Sequence, residues 1–139
     1  MTTDAQGAAV AALTLGYGRA WLTIESRPEL EDGWLLTADS YKELSARFEV
    51  EHVEREYVVA FVDRLITGMA DAESFSVRLT PGRNNPLTLR AVPVEDGFEF
   101  LARLTPNGDD AVVHLDMEVG NLGADELRAD FENFRRNLA

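Results

Sequence analysis

The chain has 139 residues, 25 Asp and Glu against 13 Lys and Arg for a formal charge of −12, and 45% of it is apolar. That suffices for one globular domain with its own core, and the absence of cysteine excludes a disulfide framework, thiolate nucleophiles and cysteine-held metals. An excess of negative charge this large opposes binding to nucleic acid or to an anionic membrane, whose phosphates it repels.

Residues 1–6 include Asp4 and no basic residue, unlike a secretory leader. The apolar run over residues 7–15 falls well short of the roughly 18 residues a membrane helix needs. The expectation is a cytoplasmic protein whose residues 1–8 are disordered. Further along, Leu22 and Ile24 alternate with Thr23 and Glu25, and Ala46, Phe48 and Val50 with Arg47, Glu49 and Glu51. Such period-two alternation marks strands with one buried face. A helix follows, where Val58, Val62, Leu65, Ile66 and Met69 share a stripe, with Glu54 and Glu56 placed to favour its dipole. Alternation returns at Phe75, Val77 and Leu79, at Phe98, Phe100, Ala102 and Leu104, and at Val113, Leu115, Met117 and Val119. Asp32-Gly33, Asp96-Gly97 and Asn107-Gly108 supply hairpin turns, and residues 81–86 a longer connection. A last helix carries Leu127, Phe131, Phe134 and Leu138, with Gly123 as N-cap, acids in its first turn, and Arg135 and Arg136 at its end. Its narrow stripe suits a sheet face or a dimer seam, so the chain is expected as a monomer or homodimer.

The halves echo one another. Leu22-Thr23 corresponds to Leu87-Thr88, Glu31-Asp32-Gly33-Trp34 to Glu95-Asp96-Gly97-Phe98, and Phe48-Glu49-Val50-Glu51 to Leu115-Asp116-Met117-Glu118. Two tandem units, residues 10–71 and 73–138, each read as strands and then a helix. The expected fold is α+β within a single domain: a twisted antiparallel sheet of about seven or eight strands with two helices on one face.

Few groupings carry chemistry. His114, Asp116 and Glu118 share one strand face about 6.5–7 Å apart, where a divalent cation would take two of them, with Glu99 as a further donor from a neighbouring strand. The alternative is a solvated polar face. His52 reads as a boundary residue near a strand end. The acid pairs Glu49/Glu51, Glu54/Glu56 and Asp109/Asp110 follow from abundance, since acid–base work needs a cleft that separates two pKa values. Gly16-x-Gly18 lacks the third glycine of a dinucleotide fingerprint, no serine sits in a nucleophile elbow, and no P-loop occurs. Trp21 and Trp34 suit either core or interface, and Arg83-Asn84-Asn85 a surface turn. No catalytic residue and no cofactor is expected.

The outward strand positions Glu49, Glu51, Glu99, Asp116 and Glu118 form a candidate partner-binding face, with Arg47, Arg78, Arg90 and Arg103 on the same parity to offset it. Such a face imitates phosphate towards a basic protein. The order of elements, with Asp96-Gly97-type turns and strand starts such as Gly97-Phe98-Glu99-Phe100, resembles small actinobacterial α+β families similar to immunity proteins of contact-dependent and polymorphic toxins, the wall-associated-toxin immunity family among them. The resemblance spans residues 10–138. It implies a non-enzymatic protein that neutralises a toxin by occlusion, and it supplies no catalytic residues. A metal-dependent hydrolase or small-ligand protein using His114, Asp116 and Glu118 is the alternative.

Overall fold

The computed structural model describes residues 10–109 and 112–138. The expectations on residues 1–8 and on Asp110 lie outside them. The chain runs through β1 (Ala12–Tyr17), β2 (Ala20–Arg27), β3 (Gly33–Ser40), β4 (Leu44–Val50), α1 (Arg55–Met69), β5 (Phe75–Arg78), β6 (Leu87–Val94), β7 (Gly97–Leu104), β8 (Leu115–Gly123) and α2 (Ala124–Leu138). Each half is thus an antiparallel meander followed by a helix.

The expectation of one continuous sheet is corrected to two four-stranded sheets, ordered β1-β2-β3-β4 and β5-β6-β7-β8. Alternation specified the strands but not where pairing stops. After β4 the chain leaves for α1 and starts a new ladder at β5, in keeping with the tendency of long twisted sheets to split into packed pairs. Both helices reach the second sheet, α1 at β5 and α2 at β7 and β8. They pack on each other, and each reaches the first strand of the other half, α1 against β5 and α2 against β1.

Bare backbone makes these approaches close. Gly16 sits at a φ of 88°, and a Cβ there would collide with the Ala20 carbonyl and meet the Val119 side chain of β8 at 2.5 Å. Gly68 in α1 lies under the Phe75 ring, where a Cβ would come within 2.5 Å of it. A helical glycine costs about 1 kcal/mol relative to alanine, and this one lets α1 close on β5.

One buried cluster joins both halves, from Leu15, Ile24 and Leu36 through Phe61 and Leu65 to Phe100 and Phe131. On α1 Val58, Val62, Leu65 and Met69 are buried as expected while Ile66 is half-buried, and on α2 Leu127, Phe131, Phe134 and Leu138 are buried. Phe131 meets Phe100 of β7 edge to face at 6.5 Å, fastening α2 to the second sheet. Trp34 is core, its indole N–H donating to the Val53 carbonyl at 2.8 Å. Trp21 is half-buried on β2.

Candidate functional site

The outward face of the second sheet forms a concavity, a groove of about 900 Å³. Strand register builds its floor in rows. Arg78, Thr88, Arg103 and Asp116 align across β5 to β8, and Ser76, Arg90, Leu101 and Glu118 form the next row. The groove is bounded on one side by Ser40 at the end of β3 and Tyr41 in the turn that follows, and on another by Thr105, Asp109 and His114.

Ion pairs fix much of this surface. Arg103 holds both carboxylate oxygens of Asp116, at 2.8 and 2.9 Å. That guanidinium keeps the Asp116 carboxyl below the usual carboxylate range, against a smaller opposing effect of burial. Arg78 holds Asp109 at 2.8 and 3.1 Å and also donates to the Gly82 carbonyl at 2.8 Å. This clamp anchors the connection between β7 and β8, which Asp109 N–H also ties to the Arg83 carbonyl at 2.7 Å. The tight hairpin expected at Asn107-Gly108 is therefore a longer excursion, and Val112 and Val113 precede β8 instead of starting it, 93% and 72% exposed.

The candidate metal residues are brought near one another without converging. His114 Nε2 lies 3.6 Å from Asp116, but both Asp116 oxygens already accept from Arg103. Among the described residues no group of three or more His, Asp or Glu is placed to hold a metal ion. His52 is exposed, and its amide N–H donates to the Glu31 carbonyl at 3.0 Å.

The five candidate partner-binding acids do not share one face. Asp116 and Glu118 line the groove, and Glu99 lies farther along β7 opposite Val92. Glu49 and Glu51 belong to the first half, where Glu49 is paired with Arg27 at 3.1 Å. The strand surfaces are thus of mixed sign. Negative charge gathers instead where the turn between β2 and β3 is hydrogen-bonded to the segment before α1, His52 N–H to Glu31 and Val53 N–H to Asp32. There a hydrogen bond and charge repulsion from Glu56 raise the Glu54 carboxyl above its ordinary range, with burial and Asp32 adding to the effect.

Two features escaped the sequence. Tyr41 reaches the groove from the other sheet, in a turn where Tyr41 and Lys42 both take positive φ, 55° and 61°. Asn-Gly is the usual occupant of such a turn, so a Tyr-Lys pair gave no turn signal. Asn85 is 1% exposed, not part of a plain surface turn. Its side-chain oxygen accepts from Thr80 N–H at 2.9 Å and its amide donates to the Thr88 hydroxyl at 3.0 Å. The signal for the groove itself was present at Leu101, an apolar residue at an outward strand position.

The chain matches no protein-family model and no curated protein. No helix among the described residues is long and apolar enough to cross a membrane.

Proposed function

We propose that the chain is a non-enzymatic cytoplasmic protein that binds and sequesters a basic protein, acting as a toxin-neutralising immunity factor of the wall-associated-toxin immunity type. The observation that carries this reading is the exposure of large apolar side chains in and beside a charged concave face. Leu101 on the floor is 37% exposed, Tyr41 at the margin 57%, and Val112 and Val113 still more. Apolar and aromatic anchors within a polar surround are what a protein interface offers. A single left-handed non-glycine residue costs on the order of 1–3 kcal/mol, and such strain collects where function requires it. Tyr41 fits that description. The net charge of −12 speeds encounter with a cationic partner, and the groove supplies the steric contact once the two have met.

Site-specific photocrosslinking in the native cell tests the reading. A photoreactive residue replacing Leu101 is expected to capture one basic protein, while the same residue replacing Arg128, exposed on α2, captures none. Identical adducts from both positions overturn it. The size of the groove also falls in the range of small-ligand sites, which keeps the metal or small-ligand reading as a second one. That reading expects divalent metal to raise the melting temperature and His114→Ala to abolish the rise.

A further inference from the structure

The charges on the groove floor are matched in one row and unmatched in the next. In the first row Arg103 is engaged by Asp116, and Arg78 by Asp109. In the second, Arg90 and Glu118 are exposed and engage no partner among the described residues. Register explains the difference. Arg103 and Asp116 are direct cross-strand neighbours, whereas Leu101 stands between Arg90 and Glu118. Neighbouring strands lie about 4.8 Å apart, which separates the two backbones by about 10 Å.

We infer that this row sets the register of the bound partner, a carboxylate of the partner meeting Arg90, an apolar side chain resting on Leu101, and a cation meeting Glu118. The inference rests on the protein-binding reading above and specifies the chemistry of the segment that docks. An extended segment crossing the strands satisfies it. Alternate residues of such a segment face one side at about 6.5–7 Å intervals, so an acid, an apolar residue and a base at every second position span about 13 Å. The long arms of Arg90 and Glu118 cover the remaining difference. Arginine offers a carboxylate two parallel donors, and Arg90 stands exposed on the floor with both free to be taken. The net charge of −12 sets two copies of the chain against each other, which favours a segment of a different protein.

The test is an NMR titration of the full, nitrogen-15-labelled chain at low salt with three capped pentapeptides: Glu-Ser-Leu-Ser-Lys, and its two relatives carrying Lys at both ends or Glu at both ends. The mixed peptide is expected to shift the amides of Arg90, Leu101 and Glu118 and to bind about three-fold tighter than either relative, the scale of a solvent-exposed ion pair. Arg90→Glu turns the preference towards the peptide with two lysines, and Glu118→Arg towards the one with two glutamates. The double variant Arg90→Glu/Glu118→Arg recovers the preference for the mixed peptide, because the segment can lie across the row in either direction. Both side chains are exposed and unpaired, so the fold tolerates these changes, and a melting curve checks that it does. Absence of shifts, preferences that ignore the substitutions, or shifts confined to residues 51–56 overturn the inference. So do concentration-dependent shifts at the same amides without peptide, which assign the groove to a second copy. A partner crosslinked through Leu101 alongside a titration without charge preference removes this register alone and leaves the wider reading standing.

Discussion

Tyr41 is held by contacts on both sides of an unfavourable backbone. Its amide N–H donates to the Arg19 carbonyl at 2.6 Å, and Lys42 N–H donates to Asp39 Oδ2 at 3.3 Å. These bonds fix a conformation that a β-substituted residue resists by about 1–2 kcal/mol. Tyr41→Asn places a residue that tolerates the left-handed region, so stability measured in urea is expected to rise by about 1 kcal/mol. Crosslinking through position 101 is expected to fall in the same variant, the exchange seen where strain serves binding. Asn85 acts in the opposite way. Its side chain satisfies Thr80 N–H, and its own carbonyl accepts from the Thr105 hydroxyl at 2.7 Å. Asn85→Ala leaves the Thr80 amide unsatisfied in a buried setting and is expected to cost about 2 kcal/mol in urea unfolding. Neither residue was legible beforehand. An asparagine within Arg83-Asn84-Asn85 looks like solvent-facing turn chemistry, and only the return of Thr80 and Thr105 to the same place buries it.

The elements were legible where periodicity speaks for itself. The stripe from Leu127 to Leu138 is buried as its spacing required, and so are Phe98, Phe100, Ala102 and Leu104. Their outward neighbours Leu101 and Arg103 are exposed. The start of β8 was not legible, because Val112 and Val113 continue the alternation without any strand to pair with. The Arg78–Asp109 clamp draws the preceding connection elsewhere, and no local pattern announces a contact across 31 positions. At the other helix, Glu54 takes the N-cap position without a side-chain cap bond, and its carboxyl is raised by Glu56. A carboxyl raised in the fold contributes stability below its unfolded pKa and loses it as pH climbs through the folded value. Glu56→Gln is therefore expected to raise the melting temperature near neutral pH. The gain should vanish below about pH 4, where carboxylates hold their protons. A gain of equal size at both pH values counts against the repulsion.

Across the whole molecule, the tandem order of strands and helix was written in the echoed turns, Glu31-Asp32-Gly33-Trp34 and Glu95-Asp96-Gly97-Phe98, which open β3 and β7. How the halves hold each other was not. Gly16 against Val119 and Gly68 under Phe75 are single close approaches with no period to reveal them. The shared core carries a thermodynamic consequence, since neither meander completes its own buried side. Urea unfolding followed by tryptophan fluorescence, which Trp34 reports from the first half, and by far-ultraviolet circular dichroism should give one coincident transition. Phe131→Ala in the second half, expected to cost about 4 kcal/mol, should lower the midpoint of both signals together. Two separated transitions would show that the halves melt independently. The candidate site follows the same division: its floor was legible through strand parity, whereas its walls come from a turn of the other sheet and from the clamped connection.

The halves meet within one chain because residues 70–74 between α1 and β5 let them fold back on each other. Every surface that α2 offers to β1, and Val119 to Gly16, is equally offered to the matching half of a neighbouring molecule. Stiffening that five-residue joint, as with Ala72→Pro, would make folding back costly and leave the interface itself untouched. The economical response is reciprocal domain swapping, with two chains interlocked and each second sheet intact, so that the swapped form would present two grooves where the monomer presents one.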